Sequence, residues 1–261
     1  MIDITLVLIL KSTIFTNMTY SKEFFKIQLQ FARIISKKRA IPYHKALYLY
    51  TCLYVRLLGY SDENRPSETN KSWIQIMNNL PKKQSEQVNY LYERYKEYEL
   101  LPKPKSNMKR FGCFSYSYHT EINQFELHFG NHDPKGNLGA DRIQARMENW
   151  KNLFQNIYDE GKKDTTCKIA TWLLGINAFS RLLPPDFVKE AKPINEDTAQ
   201  NFTYWGPLLN RFGKIKTAMK KELLHKIRTE NHIYIEDYFP RRALTSEVKT
   251  DIFFDFYLHK K

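Results

Sequence analysis

The stretch 111–174 constrains the fold more than any other, because its hydrophobic period changes twice. Residues 111–118 alternate, with Phe114, Tyr116 and Tyr118 on one face and Cys113, Ser115 and Ser117 on the other. Residues 124–130 alternate too, setting Phe125, Leu127 and Phe129 against Glu126 and His128. Pairing like faces in an antiparallel hairpin places Ser117 opposite Glu126 and Ser115 opposite His128. The period then lengthens to that of a helix, with Ile143, Met147, Trp150, Phe154 and Ile157 forming one stripe. Residues 167–174 are almost continuously apolar, as a buried central strand would be. Strand, helix and strand in that order predict parallel pairing through a right-handed crossover.

Around this unit the chain reads as two portions. Residues 1–105 are mainly helical. Ser21 can cap a helix carrying Phe24, Ile27, Phe31, Ile34 and Ile35 on one face. A second helix opens at Pro42 and runs to Gly59, its expected C-cap. Trp73, Ile74, Met77 and Leu80 mark a short helix, and Val88, Leu91, Tyr92, Tyr95 and Tyr98 another. The proline-rich, basic segment 102–110 marks the boundary with an α/β portion, residues 106–261. There the pattern predicts a short helix at 176–183, a strand at 202–209, a helix at 215–228 and an aromatic last strand at 252–257. The expected class is therefore α/β (α+β): a mixed, partly antiparallel sheet flanked by helices, with a helical N-terminal portion.

Length and composition remove several alternatives. A chain of 261 residues can bury roughly three-quarters of its unfolded surface, so it needs neither disulfides nor structural metal. Its three cysteines, Cys52, Cys113 and Cys167, form no metal-binding spacing and suit reduced thiols in the cytoplasm. The apolar run 4–10 is shorter than the ~20 residues of a membrane span and reads as a strand. No membrane partner is expected. Met18 offers an alternative start that would leave residues 1–17 outside the native chain.

The formal charge of +13 favours anionic partners. The strand-to-helix junction at 125–146 can receive one. Gly130, Gly136 and Gly139 lie in a loop that leads straight into a helix, whose first turn carries unpaired N–H groups and a partial positive charge. Lys135, Gly136, Asn137, Gly139, Arg142 and Arg146 would form a phosphate or pyrophosphate cradle there, beyond the carboxyl end of a sheet strand. The alternative is a simple glycine-containing turn, with Asp141 as a favourable charge at the helix start.

From about residue 111 to 185 the order and lengths of the elements resemble the acyl-CoA-binding region of the GNAT N-acyltransferase superfamily. There a Gln/Arg-x-x-Gly-x-Gly/Ala loop precedes the helix that holds the CoA pyrophosphate. Aligned on Gly139, this chain has Pro134 at the Gln/Arg position and Asn137 at the central glycine. Leu182 stands where the family often carries a tyrosine general acid. The resemblance implies acyl-CoA as cosubstrate and an amine acceptor. Glu126 and His128, on the polar strand face beside the loop, are then the candidate catalytic bases. Residues 171–185 also resemble part of a bacterial protein family that implies no activity.

Other chemistries need these residues differently. His128, His132 and Asp133 lie in a strand and loop, where the i, i+4 spacing does not converge on a metal, so no metal is expected. A Cys113 nucleophile beside His128 would lack a third group. Lys214, Lys216, Lys220, Lys221, Lys226 and Arg228 form a basic helix face. That face makes a basic nucleic-acid-binding or interaction protein without catalysis the alternative function.

Overall fold

The computed structural model describes residues 19–59, 66–101, 108–130, 133, 138–162 and 164–259. The strand expected at 4–10 and the boundary residues 102–107 lie outside them. The class is the expected one, a mixed six-stranded sheet with helices and a helical N-terminal portion. No helix among the described residues is long and apolar enough to cross a membrane.

The first helix, α1 (Lys22–Lys38), buries Phe24, Ile27, Phe31 and Ile35 as its period requires. Ser21 takes the N-cap place, but its hydroxyl makes no capping bond. The single helix expected at 42–58 is two, α2 (Tyr43–Leu49) and α3 (Leu53–Leu58). Side chains take over the backbone bonds at the break. Thr51 Oγ1 donates to Leu47 O and accepts the Leu53 N–H, while Gln28 Oε1 accepts the Cys52 N–H at 2.9 Å. Such local bonds offer the chain an alternative to the helical ladder. Helices α4 (Lys71–Asn78) and α5 (Gln84–Leu100) complete the N-terminal portion.

The sheet runs β1 (Lys109–Phe111), β2 (Phe114–His119), β3 (Gln124–Phe129), β4 (Thr166–Thr171), β6 (Leu244–Lys249) and β5 (Lys192–Pro193). Residues 111–118 are not one strand, because Gly112 and Cys113 turn the chain between β1 and β2. The β2–β3 register places Ser117 opposite Glu126 and Ser115 opposite His128. Helix α6 (Ile143–Asp159) crosses to β4, which pairs parallel with β3. The apolar run after β4 leaves the sheet at Trp172, where Thr171 Oγ1 accepts the Leu173 N–H and starts a 3-10 turn.

Short helices α7 (Asn177–Ser180) and α8 (Pro185–Lys189) follow. Two further expectations are corrected. Residues 202–209 form helix α9 (Phe202–Trp205) and a 3-10 turn, with Asn201 Oδ1 accepting the Thr203 N–H at 2.9 Å. Helix α10 (Thr217–Thr229) then leads towards β6. The last aromatic segment is helix α11 (Asp251–Tyr257), which buries Phe253, Phe254 and Tyr257. That spacing of one, three and four is helical, whereas a strand would have faced Ile252, Phe254 and Phe256 together.

Two apolar cores result. One packs α6 and α11 on the sheet, with Phe154 stacked on Phe253 at 4.5 Å and on Tyr257 at 5.2 Å. The other lies in the helical portion but recruits Ala199, Tyr204, Trp205, Leu223, Tyr238 and Phe239 from the later chain. The α/β portion drawn at 106–261 thus contributes to both.

Candidate active site where the central strands part

Strands β3 and β4 pair only at Gln124↔Thr166, Phe125↔Cys167 and Glu126↔Lys168. Each runs three residues further. β3 keeps its antiparallel register with β2 to Phe129, and β4 keeps its own with β6 to Thr171. The edges 127–129 and 169–171 therefore face each other without pairing. The Thr203 hydroxyl reaches the β4 edge, donating to Ala170 O at 3.4 Å. The gap opens at the carboxyl ends of two parallel strands, the place where open α/β sheets bind ligands.

Above the β3 end lies the start of α6. A 3-10 turn, Ala140–Arg142, precedes the helix, and its Arg142 N–H closes on Gly139 O at 2.9 Å. Gly139, Ala140 and Asp141 are exposed. An added Cβ at Gly139 would stand 2.6 Å from Asp141 Oδ1, so that carboxylate already lies over the turn. Arg142 and Arg146 both bind the Asp133 carboxylate. Arg146 is buried and also donates to Asn149 Oδ1 at 2.8 Å and to Cys113 Sγ at 3.1 Å. Two guanidiniums against one carboxylate leave a single positive charge, with the half-buried Arg142 nearer solvent. Lys135, Gly136, Asn137 and His132 lie outside the described residues.

The polar sheet face carries the two candidate bases. Cross-strand twist joins diagonal neighbours rather than those directly opposite. Ser117 Oγ lies 3.2 Å from His128 Nε2, and His119 Nε2 lies 3.1 Å from Glu126 Oε2. Burial pushes the His128 imidazole below its ordinary value; Glu126 opposes that shift and His119 adds to it. His128 is consequently neutral near pH 7, with one ring nitrogen able to accept a proton. Two cations on this face escape a reading of the hairpin alone. Lys168 stands opposite Glu126 across the parallel pair, and Arg110 stands opposite Ser115 on β1. The signal for Arg110 was the Gly112–Cys113 turn, which adds a third strand.

Other side chains lie away from this face. Tyr116 faces α6, bonded to Asn156 at 2.7 Å and to Glu160, and burial raises its hydroxyl strongly. Leu182 is buried, and its carbonyl accepts the Tyr257 hydroxyl. Cys113 is buried in the turn under Arg146, while His128 pairs with Ser117. No cluster of three or more metal-ligating residues occurs among the described residues. On the basic helix face, Lys220 binds Glu23, Lys226 lies 3.6 Å from Glu222, and Lys216 donates to Pro207 O. Two of the six cations are thus paired with carboxylates and a third donates to a carbonyl.

No family model, curated protein or solved structure matches this chain.

Proposed function

We propose that this protein is an acyl-CoA-dependent N-acyltransferase-like enzyme that holds a phosphate-bearing cosubstrate at the strand–loop–helix junction. The observation that carries the reading is the parting of β3 and β4 beyond Glu126 and Lys168. Separated strand edges offer N–H and C=O groups to an extended guest. The pantetheine arm of CoA is such a guest, since it bears two secondary amides along its length. Its phosphate end would then meet the exposed turn at Gly139–Asp141 and the residual positive charge of the Arg142, Arg146 and Asp133 cluster. Asp133 and Asp141 offset part of the positive field, so the phosphates would be met by the charge of one guanidinium together with the N–H groups of the helix start.

In this reading the acyl group passes from the thioester to an acceptor amine on the polar sheet face. His128, neutral near pH 7, takes the proton released by the amine, and Glu126 holds the neighbouring His119. Calorimetry with CoA and acetyl-CoA is the test. Saturable heat is expected, and Gly139→Glu should abolish it by placing a second carboxylate beside Asp141. Silence with acetyl-CoA, longer acyl-CoAs and nucleotides overturns the proposal. DNA or RNA binding that weakens steeply with salt and with Lys220 and Lys221 charge reversal would favour the alternative function instead.

A further inference from the structure

We infer that Ser117 is a nucleophile that carries the acyl group as a serine ester between donor and acceptor, with His128 as its base. The inference deepens the acyltransferase reading and rests on it only for the identity of the donor. Its foundation is the 3.2 Å approach of Ser117 Oγ to His128 Nε2, on a face where no other hydroxyl of the hairpin meets an imidazole in a described contact. Ser115, directly opposite His128, is nearly inaccessible at 8% exposure, whereas Ser117 is only half-buried. In the tautomer that leaves His128 Nε2 unprotonated, the Ser117 hydroxyl donates to the imidazole and can surrender its proton as it attacks. The charge that develops on the carbonyl oxygen has cations on the same face, with Arg110 across from Ser115 and Lys168 across from Glu126.

The bonds balance in two steps. Ser117 Oγ bonds to the thioester carbonyl carbon as the carbon–sulfur bond breaks. His128 Nε2 takes the hydroxyl proton and passes it to the departing sulfur, leaving an acyl-serine and a free thiol. The acceptor amine then attacks the ester. Its nitrogen–carbon bond forms as the carbon–Oγ bond breaks, and His128 moves the amine proton to Ser117 Oγ. Nothing is oxidised or reduced.

The test uses the full chain incubated without an acceptor amine, once with acetyl-CoA and once with p-nitrophenyl acetate, then quenched and mapped by mass spectrometry. One acetyl group is expected on the peptide containing Ser117. It should be labile to hydroxylamine, as an ester is and a lysine amide is not. Ser117→Ala should lose the adduct, and His128→Gln should form it about 100-fold more slowly. Both variants are to be checked for a wild-type melting transition. If either unfolds, Ser117→Thr with the wild-type imidazole takes its place, and an adduct must then appear on Thr at that position.

Absence of an adduct with p-nitrophenyl acetate in the folded wild-type protein, or an adduct only at another residue, overturns the inference. If acetyl-CoA fails to bind but p-nitrophenyl acetate labels Ser117, the serine stands and the acyl-CoA reading falls. If acetyl-CoA binds and an amine is acetylated with no ester trapped on rapid quenching, the reading stands and the serine falls.

Discussion

At the scale of single residues, His128 and Asp133 each carry an electrostatic consequence that can be measured. His128 has its folded-state pKa lowered, chiefly by burial. Above about pH 6.5 it is neutral in both the folded and the unfolded chain and costs nothing. As the pH falls through that value the unfolded chain takes up the proton first, so stability declines until the folded-state value is reached. Urea unfolding at about pH 7.5 and about pH 5 should therefore show a smaller loss in His128→Gln than in the wild type. An equal loss would place the titration elsewhere. Asp133 is the counter-ion of Arg146, whose side chain is only 5% exposed. Asp133→Asn leaves that guanidinium without its carboxylate and should cost about 3 kcal/mol in urea unfolding. The pairing of Ser115 and Ser117 with His128 and Glu126 was legible from alternation, since period two leaves one register that puts all the aromatic rings on one side. The Asp133 bridge was not, because nothing in a linear chain shows a loop carboxylate folding over two turns of the following helix.

Among the elements, the errors have two sources: side-chain bonds at Thr51 and Gln28 that break the long stripe of 42–58, and segments at 202–209 and 252–257 too short for a period to decide. Helices α1, α5 and α6 span 17 residues each, long enough for their stripes to exclude a strand. The segment 252–257 is too short for periodicity to decide, and its aromatic content favoured a strand. Tertiary packing decided otherwise, because Phe253 and Tyr257 stack with Phe154 of α6. The true last strand, β6, shows period two in Leu244, Ser246 and Val248 against Thr245, Glu247 and Lys249, but its apolar signal is weak. Two turns give a paired prediction. Gly112 and Gly161 both have positive φ, at 60° and 65°. An added Cβ meets Asn149 Oδ1 at 2.2 Å at Gly112 and finds open space at Gly161. Gly161→Ala should cost about 1 kcal/mol for the backbone alone. Gly112→Ala should cost more, about 2 kcal/mol or above, since Asn149 must also release Arg146. Thermal denaturation of the two variants compares them directly.

For the whole molecule, the division at residue 105 follows composition better than it follows packing. Phe31 of α1 meets Trp205 at 5.5 Å and Phe239 at 5.3 Å, and Leu49 O accepts the Ala199 N–H at 2.8 Å. A fragment of residues 1–105 would expose this face to water. It should lack a cooperative melting transition and bind a hydrophobic dye, and co-expression with residues 106–261 should restore a single transition. A cooperative transition in the isolated fragment would show that the helical core closes without the later chain.

What followed from the chain alone was the hairpin and its two faces, the crossover helix, the parallel partner strand and the class. These rest on periodicity and chirality, which act over a few residues at a time. The two cores, the parting of β3 from β4, the neutralisation of Arg142 and Arg146 by Asp133, and the pairing of Ser117 with His128 required the folded molecule. Each depends on how sheet twist and the packing of distant segments set angles and distances, and no spacing along the sequence encodes those directly.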